Sequence, residues 1–170
     1  AKNIRPVRNV LQKGQLSVYD DIIKELSDNH GVDWKLVASL IAQESKFDPY
    51  AESWMGARGL MQIMPHIVNS DSLDLFDPYI NINEGINILK QHLAHYDYLE
   101  ERNQWSMALA TYNAGMGHMA DARRIVIDMN KNPNDWNNVS DALLKLMRYE
   151  YYQHARYGFC RGIETVKYVN

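Results

Sequence analysis

Residues 33–49 read DWKLVASLIAQESKFDP, and their pattern sets the fold class. Asp33 is a helix-capping residue, and Val37, Leu40, Ile41 and Glu44 follow at i, i+3, i+4 and i+7, one face of a 3.6-residue helix. Asp48-Pro49 is expected to mark its end. The stripe is apolar except at Glu44, where Leu or Ala would ordinarily complete a core. Burial there disfavours the carboxylate, and the negative end of the helix macrodipole pushes the same way, so Glu44 is expected to hold its proton above the ordinary glutamate value. A carboxylic acid kept neutral near pH 7 is what a general acid needs to protonate a leaving group. On helix position alone, an edge glutamate paired with Lys46 or Arg58 is the commoner arrangement.

Working outward, the helical period recurs. Ser17 is read as an N-cap with acidic Asp20 and Asp21 in the first turn and Val18, Ile22, Ile23 and Leu26 on one side, closed by Gly31. Ile82, Ile86, Leu89, Leu93 and Tyr96 share a stripe, and Trp105, Leu109 and Tyr112 begin another helix that meets Gly115 and Gly117. Further helices are expected over 121–129, 140–152 and 163–169, with an Asn/Pro-rich turn at 131–138. No strand-type alternation, repeat or low-complexity segment interrupts the series, so the expected class is all-α. Residues 1–16, with Lys2, Arg5, Pro6, Arg8, Lys13 and Gly14, read as a linker or N-terminal arm ahead of one folded domain at 17–170.

Composition narrows the function. A length of 170 residues suits one domain with a single core. A net charge of -3 with no Lys/Arg-rich stripe supplies no field for nucleic acid, which is not an expected partner. The apolar runs are far shorter than the roughly 20 residues that span a bilayer. The single Cys160 excludes an intramolecular disulfide and leaves the redox compartment open. Eleven Tyr and four Trp suit sugar or interface contacts as well as a core. His92 and His95 have i, i+3 spacing without a third ligand, Cys160 lacks the surroundings of a thiol hydrolase, and Gly115-Met116-Gly117 is not a phosphate loop. Neither a metal nor a cofactor is expected. Ala1 opens the chain without a signal pattern, so the sequence is read as a mature or excised segment with something upstream.

The run from Glu44 decides between catalysis and an edge ion pair. Glu44-Ser45-Lys46-Phe47-Asp48-Pro49, then Ser53, then Gly56-Ala57-Arg58-Gly59-Leu60-Met61-Gln62-Ile63-Met64-Pro65 closely resembles the lytic transglycosylase signature. Thr111-Tyr112-Asn113-Ala114-Gly115 and Glu164-Thr165-Val166-Lys167-Tyr168-Val169 continue the family pattern in order. Tyr157-Gly158-Phe159-Cys160-Arg161-Gly162 and Asp121-Ala122-Arg123-Arg124 look most like the membrane-bound F branch.

The resemblance implies a goose-lysozyme-like helical domain with a substrate groove, acting on the β-1,4 bond between N-acetylmuramic acid and N-acetylglucosamine in peptidoglycan and leaving 1,6-anhydromuramoyl ends. Glu44 is then acid first and base second, with the substrate's own N-acetyl group as nucleophile. Ser53 would hold that N-acetyl group, although a turn hydroxyl bonded to nearby backbone is the plainer reading. Gln62 and Met64 would line the groove, Tyr112 and Asn113 would face the developing charge, and Glu164 and Tyr168 would brace the opposite wall. Gly56 and Gly59 would let the backbone fold tightly over the site. Met116 stands where the family often has proline, the stretch from Asn113 to Glu164 is long, and the chain stops just after Tyr168, which is expected to fray the last helix. The alternatives are a hydrolytic muramidase using Asp48, or a peptidoglycan-binding module without turnover. The implied setting is the periplasm, with outer-membrane attachment and a regulatory domain supplied by an upstream segment, and the expected state is a monomer.

Overall fold

The computed structural model describes residues 14–68 and 73–170. Of the arm expected at 1–16, residues 1–13 lie outside this range, and 14–16 carry neither helix nor strand. Eight α-helices follow: α1 (Asp20–His30), α2 (Trp34–Glu44), α3 (Pro78–His95), α4 (Glu101–Ala114), α5 (Met116–Asp128), α6 (Trp136–Lys145), α7 (Tyr149–Tyr152) and α8 (Gly162–Val169). Extended pairing among the described residues is limited to isolated bridges of Arg58 with Glu52 and with Ile63. The all-α expectation holds. The chain forms two compact units, one ending at Ile86 and one beginning at Asn87.

In the first unit α1 packs on α2. Ile23 and Leu26 of α1 and Val37, Leu40 and Ile41 of α2 are buried, as their spacing requires. Asp33 caps α2 as expected, its Oδ1 accepting the Lys35 N–H at 2.9 Å. Ser17 is not the cap of α1. The helix starts three residues later, and the buried Asp20 carboxylate reaches back to accept the Leu16 and Ser17 N–H groups and the Ser17 hydroxyl. Burial alone would raise the Asp20 pKa; these three hydrogen bonds and Lys24 outweigh it and hold the carboxyl below its ordinary 3.8. Gly31, at φ 69°, closes α1 in the left-handed conformation.

In the second unit α4, α5, α6 and α8 pack on one another around Met107, Met119, Val126, Trp136, Val139 and Leu143. The stripe predicted from Trp105, Leu109 and Tyr112 is displaced. Those three are half-buried, and the inward face of α4 is Met107, Ala108 and Thr111. Glycine does not open a loop at 115–117 either. Gly115 alone breaks the chain, at φ 85°, and α5 starts with Met116, five residues earlier than expected. Gly117 lies inside α5, where a Cβ would press into the Tyr157 ring. The single helix expected over 140–152 is two helices, and α6 begins inside the predicted turn, capped by Asp135 through the Asn137 N–H. The break after α6 has a tertiary cause: the Leu146 carbonyl, which a continuing helix would use four residues on, accepts the Cys160 N–H at 3.3 Å.

Candidate active site

Glu44 is the last residue of α2 and is half-buried. The helix ends there, before Asp48-Pro49, with Ser45 as its C-cap. The Ser45 N–H closes on the Ile41 carbonyl at 3.0 Å, and its Oγ lies 2.8 Å from Leu60 O and 3.2 Å from Ile41 O. Lys46 and Phe47 are then both left-handed, at φ 54° and 63°. Of the two cations expected as partners for Glu44, Arg58 is engaged elsewhere, with Nε 3.1 Å from Glu52 Oε1.

The segment 51–63 is irregular but heavily bonded. Residues 53–56 form a turn closed by Gly56 N–H to Ser53 O at 2.9 Å, with Gly56 left-handed at φ 86°. Ser53 N–H bonds Ala57 O, and Ser53 Oγ accepts the Ala57 N–H at 3.0 Å. The turn-hydroxyl reading of Ser53 is therefore present in the structure, and the hydroxyl keeps a proton to donate. Gln62, itself at φ 50°, spends its amide NH2 on Ala51 O and Gly59 O at 3.1 and 3.0 Å. Gly59 must be glycine on two counts: φ is 76°, and a Cβ would collide with the Leu75 carbonyl and the Asn81 amide. Met64 is half-buried on extended backbone and leads into a short 3-10 turn at Pro65–Ile67.

Asn81 of α3, absent from the sequence-based set, binds this segment down. Its Nδ2 donates to Arg58 O and Leu75 O at 2.9 and 2.8 Å, and its Oδ1 accepts the Met61 N–H at 2.7 Å. The side chain is fully buried with every hydrogen-bonding atom used. The only trace in the sequence is a polar residue beside the Ile82 stripe.

The second unit carries the other four candidates. Tyr112 on α4 is half-buried and meets the His92 ring edge-to-face, centroids 6.3 Å apart. Burial, with His95 nearby, lowers the His92 pKa. Asn113 is exposed, and its Oδ1 accepts the hydroxyl of buried Thr165 at 2.8 Å, tying α4 to α8. Tyr168 is half-buried on α8. Glu164 is exposed and lies 3.5 Å from Arg161, a solvated pair of little energetic weight. The first unit thus assembles Glu44, Ser53, Gln62 and Met64 around one loop, and the second assembles Tyr112, Asn113, Glu164 and Tyr168 on α4 and α8.

Asp121 is a second support, which the sequence placed in a branch-like run without giving it a role. Fully buried on α5, it accepts the Arg156 and Tyr157 N–H groups at 3.1 and 2.7 Å and pairs with Arg124 at 2.8 Å, fixing the segment that leads into α8. Cys160 lies in that segment, buried, its thiol pushed up to about 11 by burial and by the Asp121 and Glu164 carboxylates. A thiol so protonated at neutral pH is no nucleophile, as its sequence surroundings suggested.

Comparison with known proteins gives the family and the fold. A curated relative from Desulfosudis oleivorans, "Membrane-bound lytic murein transglycosylase F", is 38% identical over 157 residues, 91% of this chain and 35% of that protein. One of the same name from Vibrio cholerae is 40% identical over 81% of this chain and 26% of its own length. The chain thus spans about a quarter to a third of these relatives. Among solved structures, the lytic transglycosylase Slt from Pseudomonas aeruginosa superposes with a TM-score of 0.59 at 20% identity, over 89% of this chain and 23% of that one. The 70 kDa soluble lytic transglycosylase from Escherichia coli gives 0.58 at 23% identity, over 89% and 22%. These two likenesses establish the fold, which is lysozyme-like. A family match to the transglycosylase SLT domain covers residues 21–137, and with the fold and the Glu44 loop in place the chain belongs to that family.

Proposed function

We propose that this domain cuts the β-1,4 bond between N-acetylmuramic acid and N-acetylglucosamine in peptidoglycan without water, leaving a 1,6-anhydromuramoyl end. The observation that carries this reading is the position of Glu44: half out of water at the carbonyl end of α2, followed by a bonded loop that includes Ser53 and Gln62. Both the partial burial and the helix end favour the neutral acid, so NMR titration is expected to give Glu44 a pKa above 4.3. The acid protonates the leaving oxygen as the N-acetyl carbonyl attacks the anomeric carbon. The resulting carboxylate takes the proton of the muramoyl 6-hydroxyl, which closes on the same carbon and expels the N-acetyl oxygen. The Ser53 hydroxyl, able to donate while accepting from Ala57, orients the N-acetyl group. Met64, Tyr112, Asn113, Glu164 and Tyr168 contact or brace the glycan.

A hydrolytic muramidase needs a second carboxylate to activate water. Asp48 is poorly suited, because its Oδ1 is engaged by the Tyr50 N–H at 2.9 Å in a local turn. Mass spectrometry of digested peptidoglycan separates the two: the anhydro product is one water lighter, and a predominance of reducing ends rejects the transglycosylase. Glu44→Gln is expected to abolish lysis of purified sacculi with folding unchanged. Lysis at the parental rate removes Glu44 from the chemistry, and binding without turnover in the parent identifies a glycan-binding module. The name of the curated relatives, membrane-bound and directed at murein, supports a periplasmic setting with the glycan strand as partner; attachment to the outer membrane through an upstream segment and action as a monomer complete the proposal.

A further inference from the structure

We infer that Trp54 is a sugar-stacking platform that extends glycan binding beyond the cleaved bond, an inference that rests on the proposed function. Three large side chains on the loop after Glu44 stand in water: Tyr50 at 76% exposure, Trp54 at 86% and Met55 at 60%. Trp54 is the most exposed large apolar residue described. An indole on a floppy loop would be unremarkable, but this one is mounted rigidly. Trp54 and Met55 are the two central residues of the turn 53–56, whose base is held by Ser53 N–H to Ala57 O, Ala57 N–H to Ser53 Oγ and the bridge of Glu52 with Arg58. Gly59 N–H to Ala51 O adds a further rung to the base of that hairpin, and Ser45 Oγ to Leu60 O bonds it to the end of α2. Ser53 and Trp54 are adjacent residues, so the platform and the serine that orients the N-acetyl group share one mounting.

A pyranose ring offers polarised C–H bonds on a flat face, and the electron-rich face of an indole attracts them over a large area. A tip that is already ordered loses little entropy on binding. The competing occupant is a lipid surface, into which exposed Trp and Tyr also insert. Reversible adsorption of that kind draws on basic residues, and the tip is not basic: Glu52 is exposed, Arg58 is paired with it, and the charge of exposed Lys46, farther back along the loop, is offset in the net count by exposed Asp48.

The ring contact is made equally in the ground and transition states, so its loss moves KM rather than kcat. Trp54→Ala is expected to raise KM on peptidoglycan about tenfold with kcat within twofold, by the weight of a buried tryptophan anchor. Trp54→Phe recovers most of the loss and Trp54→Leu does not, since the ring face and not the hydrophobic bulk does the binding. Tyr98→Ala, an exposed aromatic elsewhere, leaves KM unchanged. A tetramer of β-1,4-linked N-acetylglucosamine should shift the tryptophan emission of both the parent and Glu44→Gln, but not of Trp54→Phe. Equal KM in parent and Trp54→Ala, with anhydro product still formed, overturns the platform and spares the reaction. A Trp54-dependent emission shift without anhydro product does the reverse. Loss of sedimentation with phosphatidylcholine–phosphatidylglycerol vesicles in Trp54→Ala, at unchanged KM, assigns the indole to lipid instead.

Discussion

Two irregular segments, 51–63 in the first unit and 153–161 in the second, are each pinned to a helix by one buried polar side chain, and the two side chains are of opposite kinds. The first segment presents a carbonyl, Arg58 O, and an N–H, that of Met61, and Asn81, with two donors and an acceptor on one amide, meets both while donating also to Leu75 O beyond the segment. The second segment presents N–H groups from Arg156 and Tyr157, and an acceptor-only carboxylate, Asp121, takes both and keeps charge balance through Arg124. The residue type at each clamp follows from the polarity of the backbone it must satisfy, not from any chemistry it performs.

The comparison breaks or sharpens under near-isosteric exchange. Asn81→Asp puts a carboxylate against two carbonyl oxygens in a buried site and is expected to cost about 3–5 kcal/mol in denaturant unfolding, the largest effect of the three exchanges. Asp121→Asn can accept through only one atom, turning an NH2 toward an N–H; about 2 kcal/mol is expected, with faster amide exchange at Arg156 and Tyr157. If the second exchange proves the more damaging, backbone polarity is not what selects the clamp. The smallest effect belongs to Asp20, whose carboxylate also takes backbone N–H groups but next to Lys24. Asp20→Asn should cost about 1–2 kcal/mol at pH 7. Because the folded pKa lies below 3.8, this contribution is complete above 3.8 and is lost as pH falls through the folded value, so the stability curves of parent and variant should converge in acid.

What the sequence revealed and concealed divides along the same line. The burial of Val37, Leu40 and Ile41, the Asp33 cap and the Gly31 stop are local, carried by residues a turn apart, and all were readable. The motif that identifies the family was equally readable, since its residues are consecutive. Asn81 was not, because its partner Met61 is 20 residues away and nothing in Asn-Ile-Asn indicates which carbonyls it will face. The break between α6 and α7 was hidden for the same reason: residues 140–152 are good helix formers, and the interruption comes from the Cys160 N–H. Ser17 misled because a serine before acidic residues reads as a cap, whereas α1 begins after Tyr19 with no side-chain cap and the acid instead binds the Leu16 and Ser17 N–H groups ahead of the helix.

The two left-handed residues behind Glu44 set stability against performance. Lys46 and Phe47 carry side chains in a conformation that glycine adopts freely, each at roughly 1 kcal/mol or more. Glycine at either position would relax the backbone and make the domain harder to melt, while loosening the tether of the carboxyl just upstream. Variants selected for heat resistance and variants selected for turnover should therefore diverge first at these two adjacent positions.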